Sequence, residues 1–250
     1  MQLALTPDGR WDFATADLVS AARVAGFTSL GINDHRVDEN AARAYTSADL
    51  GCHEVLALIL GDDEPATLTA AESLADAAKW MKAPWVLTVF TTPPGGDIVK
   101  RCAGIFDSAG AGMAVEFSPL GPVASIRDGM DVVRAASRGG RAGLLIDSWH
   151  FCFSESTWDD FAAVPLDDIA YVQFTDALEP EFRDRLVRES LHRRTLPGEG
   201  ILELHRFATT LRDRGWDGLV SVEVLSSELR ELPVDVLVGR LYATTSPYWT

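Results

Sequence analysis

The amino-acid sequence predicts an α/β fold, a closed (β/α)8 TIM barrel, on three observations. Short apolar runs alternate with stretches of helical spacing along the whole chain. The 250 residues suit such a barrel and show no linker or compositional break. No Gly-x-Gly-x-x-Gly follows the first apolar run, which weakens the competing open, dinucleotide-binding sheet. Strands alternating with helices imply a parallel sheet with crossover connections. Residues 1–250 are therefore expected to form a single barrel domain.

Eight runs read as strands: 3–6, 29–33, 54–60, 85–90, 113–117, 144–147, 169–175 and 219–225. Each is short and rich in Val, Ile, Leu or aromatics, as expected of strands buried on both faces. Helices are expected at 16–25, 65–82, 97–109, 125–137 and 202–214. Glycine stands just past four of them (Gly26, Gly110, Gly139 and Gly215), where a helix ends in the left-handed conformation. The 65–82 helix stops before Pro84. A shorter helix is read at 36–47, and a closing one at 233–244 from the spacing of Val234, Leu237 and Leu241. Tyr248 and Trp249 then end the chain, placed to dock on the domain or on a second copy, which is compatible with a homo-oligomer.

The last strand-to-strand interval, from residue 169 to 219, is about twice the others. Its extra length is the stretch 176–200, DALEPEFRDRLVRESLHRRTLPGEG, charged and rich in arginine. In a barrel it is the loop after strand 7, on the face where active sites lie, and it reads as a lid or binding loop. Within it, 182–191 also reads as a solvated helix with i,i+4 charge pairs.

Composition excludes several classes. With 22 basic against 37 acidic residues the net charge is −15, which disfavours a nucleic-acid partner. No apolar run approaches the roughly 20 residues that span a bilayer. The start, MQLALTPDGR, lacks the pattern of a signal peptide. Three cysteines (Cys52, Cys102 and Cys152) cannot all pair and show no zinc spacing, so a reduced, cytoplasmic setting is expected.

The chemistry concentrates at strand ends. The run Gly143-Leu144-Leu145-Ile146 closes on Asp147, with His150 three residues on. Glu116 lies in Ala-Val-Glu-Phe, Gln173 in Tyr-Val-Gln-Phe and Glu223 in Val-Ser-Val-Glu-Val. These residues belong to strands 5, 6, 7 and 8, neighbours whose carboxyl ends share one mouth. A lone buried carboxylate is readily explained by an arginine partner. Three acids and an amide together repel unless a cation joins them. An oxygen-rich set favours Mn²⁺ or Mg²⁺.

In these motifs the chain resembles the xylose isomerase-like TIM barrels, the sugar phosphate isomerase/epimerase superfamily. The likeness runs over most of the chain and is strongest from Ala114 onward: VEF (Glu116), DSWH (Asp147, His150), QFTD (Gln173, Asp176), RTLPGEG (Arg194) and SVEV (Glu223). The resemblance implies that Glu116, Asp147, Gln173 and Glu223 hold one divalent metal, Mn²⁺ or Mg²⁺ by preference, with Co²⁺ and Zn²⁺ compatible. It implies substrate contacts for His150 and Arg194. Trp149 and Asp176, inside the same motifs, are further candidates. Histidine is common in the family where Gln173 stands. A substrate-binding glutamate of some ketose epimerases has no counterpart, the position being Pro122, so no ketohexose is inferred.

The expected reaction is proton transfer next to the carbonyl of a small polyhydroxy-ketone, through an enediolate, with Glu116 and Glu223 as base and acid. Returning the proton gives a sugar or keto-cyclitol isomerase or epimerase. Expelling a β-hydroxyl gives a dehydratase, of the 3-dehydroshikimate or inosose kind. An inactive ligand-binding barrel is a third reading. A repair endonuclease of this superfamily would need more than the five histidines and a basic groove.

Overall fold

A computed structural model of the protein describes residues 1–182 and 185–249. The chain runs β1 (Gln2–Leu5), α1 (Thr15–Ala25), β2 (Ser29–Asn33), α2 (Glu39–Ser47), β3 (Gly51–Leu60), α3 (Glu64–Met81) and β4 (Trp85–Phe90). It continues through α4 (Gly96–Ser108), β5 (Gly112–Glu116), α5 (Ile126–Ala136), β6 (Ala142–Asp147), α6 (Ser148–Phe153), α7 (Trp158–Ala163) and β7 (Ile169–Phe174). Two-residue strands β8 (Asp176–Ala177) and β9 (Arg194–Thr195) flank α8 (Leu186–His192). Then come α9 (Leu204–Arg212), β10 (Leu219–Val222) and α10 (Val234–Trp249). The eight longer strands close in the order β1-β10-β7-β6-β5-β4-β3-β2, each parallel to its neighbours.

Local chemistry sets the helix ends. Asp38, Asp63 and Ser125 each accept the amide three residues on and so cap α2, α3 and α5. Thr157 and Asp160 form a reciprocal capping box on α7. Gly26 closes α1 at φ 112°, a conformation that side chains resist.

Two layers of core follow from the strand period of two. One layer lies between strands and helices, where strand residues such as Val55 and Phe174 meet helix residues such as Phe106 and Leu241. The other fills the barrel as a small separate cluster of Leu87, Ala114, Leu145 and Tyr171. Glu116, Asp147 and Gln173 stand two residues beyond three of these, so they project inward one layer higher, at the mouth.

Three differences from the expected elements matter. Strand 3 begins at Gly51 rather than residue 54, so Cys52 and His53 lie inside it. Its pairing slips twice: Gly31 faces both His53 and Glu54, and Leu87 faces both Leu56 and Ala57. Each slip is a β-bulge, which turns two consecutive side chains toward one face. The last strand stops at Val222, leaving Glu223 as the first residue past it. The closing helix extends to Trp249, which packs on Phe174 and Trp216, while Tyr248 meets Phe174 and His205. These aromatics dock on their own barrel. The expected helix 182–191 crosses residues 183 and 184, outside the described residues; within it α8 occupies Leu186–His192. The expected tail likewise ends on residue 250, outside them. Among the described residues no helix is long and apolar enough to cross a membrane.

Candidate metal and substrate site

Asp147 ends β6 and begins α6, and its two oxygens divide between those tasks. Oδ1 accepts the amides of Trp149 (2.6 Å) and His150 (3.0 Å), capping the helix. Oδ2 accepts from Arg194 Nη1 at 2.7 Å. The capping role that a strand-end Asp suggests is real, and it coexists with a second oxygen aimed at the mouth. Among the described residues, Glu116, Asp147 and His150 each present a ligand atom within 4.8 Å of the others.

Arg194, buried on β9, joins the acids. The same Nη1 reaches Glu223 Oε2 at 3.1 Å. Its Nε donates to the Ser190 carbonyl (3.0 Å) and Nη2 to Ser190 Oγ (3.2 Å), while the Trp149 ring lies 5.5 Å beneath. Nη2 is also 3.5 Å from His150 Nε2, whose other nitrogen meets Ser118 Oγ at 3.1 Å. That arrangement fits a neutral imidazole with its proton on Nδ1. Burial pushes His150 down to about 4, with the Arg194 charge acting the same way and Asp147 against it.

Gln173 lies level with Asp147 on the neighbouring strand. It is fully buried, and neither its Oε1 nor its Nε2 has a hydrogen-bond partner among the described residues. An unpaired buried amide costs about 1–3 kcal/mol, so Gln173 calls for a partner that none of the described residues supplies. Among the described residues, the basic group that the Glu116 carboxylate approaches is His150 Nε2, at 3.6 Å. Burial, then the charges of Glu223 and Asp147, raise the Glu116 carboxyl well above its usual range. Burial pushes Glu223 up to about 8 despite Arg194. Burial opposes ionisation of Asp147 as well, but Arg194 and His150 hold it below its ordinary value. Unpaired oxygens beside crowded carboxylates are what a divalent cation would relieve, and the donor set fits one.

Above these residues opens a cavity of about 620 Å³. Glu116, Ser118, His150, Arg194 and Glu223 form its polar side. Leu56, Ala57, Leu87, Val89 and Phe90, from β3 and β4, form an apolar side. Arg10, at the rim, holds Asp8 through two nitrogens (2.8 and 2.7 Å) and the Leu191 carbonyl at 2.6 Å, tying the β1 loop to α8.

The sequence pattern that defines the xylose isomerase-like TIM barrels matches residues 61–238. The chain belongs to that family. An inosose isomerase of Bacillus licheniformis is 27% identical over 151 residues, 60% of this chain and 52% of the relative. A 3-dehydroshikimate dehydratase of Pseudomonas aeruginosa is 32% identical over 117 residues, 45% of this chain and 18% of the relative. The chain thus spans about half the length of the first relative and under a fifth of the second. Among solved structures, the IOLI protein with a bound zinc atom superimposes with a TM-score of 0.83. The match covers 99% of this chain and 98% of that one at 17% identity, a likeness of fold.

Within this xylose isomerase-like barrel, two expected substrate contacts are corrected. Asp176 does not line the cavity. Its carboxylate accepts four backbone amides, from Ala177 and Leu202 (both 2.9 Å) and from Gly198 and Gly200 (both 3.0 Å). It organises the Pro-Gly-Glu-Gly turn: Gly198 has φ +88°, and a Cβ on Gly200 would stand 2.4 Å from Asp176 Oδ1. Trp149 is wholly buried and packs between Phe153 and the Arg194 guanidinium, so it backs the site.

Sequence reasoning also missed Glu54. Bulged inward on β3 and fully buried, it bonds to Thr6 Oγ1 and the Tyr171 hydroxyl, with His53 Nε2 at 3.0 Å. Thr6 in turn meets Ser221 Oγ at 2.6 Å. Burial alone would raise the Glu54 carboxyl, but His53, Thr6 and Tyr171 hold it below its usual range. The signal was available: Cys-His-Glu-Val-Leu places an acid in an apolar run just as Ala-Val-Glu-Phe does.

Proposed function

We propose that the protein is a divalent-metal-dependent isomerase or epimerase of a small hydroxy-ketone, such as a sugar or keto-cyclitol. The observation that carries this reading is the Gln173 amide, unpartnered among the described residues, beside two buried carboxylates, Glu116 and Asp147, and the half-buried Glu223 at one barrel mouth. Glu116, Asp147, Gln173 and Glu223 would hold the metal, and His150 is close enough to join them. The oxygen-rich set favours Mn²⁺ or Mg²⁺; the zinc in the IOLI structure and the neutral imidazole make Zn²⁺ the next candidate. When bound, the ion would polarise the substrate carbonyl and acidify the neighbouring C–H.

The chain's own groups supply the proton transfers. Both Glu116 and Glu223 line the cavity and favour the protonated form in the metal-free chain, so each can hold a proton and release it. One removes the proton beside the carbonyl and the other returns one to the enediolate. Arg194, the buried cation of the site, neutralises oxyanion charge as it develops, and His150 donates or accepts at a substrate oxygen. Arg10 and α8 narrow the mouth against water.

The apolar side of the cavity favours a second reading, a dehydratase. Leu56, Ala57 and Val89 offer no hydrogen-bond partner, which suits a ring that loses a hydroxyl and becomes flat. The dehydratase relative supports the same outcome. Incubation with Mn²⁺ and a panel of keto-sugars, inososes and dehydroshikimate in D₂O tests both. Deuterium entering beside the carbonyl of a recovered hydroxy-ketone supports the isomerase, and a rise in ultraviolet absorbance from an aromatic product supports the dehydratase. Neither signal from any member of the panel would overturn the enzyme reading.

A further inference from the structure

We infer that Arg194 and the metal compete for the same pair of carboxylates, so that loading the metal drives the guanidinium off Asp147 and Glu223 and into the cavity. This rests on the metal reading above. Nη1 of Arg194 donates to Asp147 Oδ2 and Glu223 Oε2 at 2.7 and 3.1 Å, so it already occupies one oxygen of each of two residues that would hold the cation. Asp147 Oδ1 is committed to the amides of Trp149 and His150, which leaves Oδ2 for any cation. A metal at about 2.1 Å from that oxygen would lie beside Nη1 with like charge. Arg194 also serves the set incompletely: it makes no bond to Gln173, whose amide stays unpaired.

The guanidinium has somewhere to go. Its other anchors are the Ser190 carbonyl and hydroxyl on α8 and the face of Trp149, and the residue lines the cavity. Displaced from the carboxylates, Nη1 turns its donors to the space that substrate would fill, while Nε and Nη2 stay anchored on Ser190. Arg194 thus acts as a placeholder cation on Asp147 and Glu223 that becomes available to substrate when the metal arrives.

The test is Mn²⁺ binding by calorimetry, without substrate, on the full-length wild type and on Arg194→Met, which keeps length and loses charge. Competition predicts that Arg194→Met binds Mn²⁺ at least tenfold more tightly. Equal or weaker binding by the variant, with clear binding by the wild type, overturns the competition and leaves the metal site standing. Binding by neither overturns the metal reading and this inference with it. Should Arg194→Met fail to fold without metal, Arg194→Lys carries the comparison. It keeps one charge but not the fork, and should bind more tightly than wild type by a smaller factor; weaker binding overturns the proposal.

Discussion

Glu223 carries an unusual load for a carboxylate: it is largely shielded from solvent, faces Asp147 across a shared arginine, and has its carboxyl pushed up to about 8. In the unfolded chain it would release its proton near 4.5. The folded state therefore binds more protons between those values, and the metal-free protein loses stability as pH rises through that window. His150 acts in the opposite sense, but only between about 4 and 6.5, and drops out above it. Melting temperatures of metal-free protein should accordingly fall from pH 6.5 to pH 8. Glu223→Gln, which has no proton to lose, should flatten that fall. In the enzyme assay the same change should lower turnover by about 10²–10⁴, the usual worth of a general acid or base; wild-type turnover would remove Glu223 from the proton path.

At the level of the element, the loop between β7 and α9 is built around Asp176. Four amides converge on one carboxylate, so Asp176→Asn replaces an acceptor oxygen by a donor that faces two N–H groups. The expected cost is about 2 kcal/mol, or roughly 5 °C in melting temperature for a chain of this size. Substrate affinity should weaken too, because β8 pairs with β9 and β9 carries Arg194. A thermal melt and a KM measurement separate these effects from a direct contact, which would change KM without changing the melt. The sequence marked 176–200 as a lid or binding loop, but one sequence does not reveal what its Pro-Gly-Glu-Gly turn folds around. Amide-binding and substrate-binding aspartates look alike until the backbone path is known. Glu116, Asp147, Gln173 and Glu223 were legible because strand period and barrel topology alone bring them to one mouth. The part played by Arg194 was not, since it depends on how a long irregular loop returns to the site.

For the molecule as a whole, crowding of carboxylates at the barrel mouth links folding, protons and metal. Burial favours the protonated forms of Glu116 and Glu223 in the metal-free chain, and a cation competes with those protons. Mn²⁺ affinity should therefore rise from pH 6 to pH 8, with proton release measurable as a buffer-dependent heat. Saturating metal, at about 100 times its dissociation constant, should add about 2.7 kcal/mol of stability, and a chelator should remove it. A melt indifferent to both would place the carboxylates' role elsewhere. The barrel itself was readable from alternation and length, which are whole-chain properties. The start of strand 3 was not, because its two slips in pairing break the period that a strand is recognised by.

Those slips carry a consequence for how the chain tolerates length changes. A residue removed from the middle of an ordinary barrel strand exchanges inside for outside in everything that follows it on that strand. At position 53 the third strand already spends one residue more than its neighbour needs, and its pairing with β4 begins only at Glu54. Deleting His53 should therefore straighten the ribbon without rethreading Val55–Leu60, whereas deleting Val55, which draws Glu54 into its buried place, should unfold it.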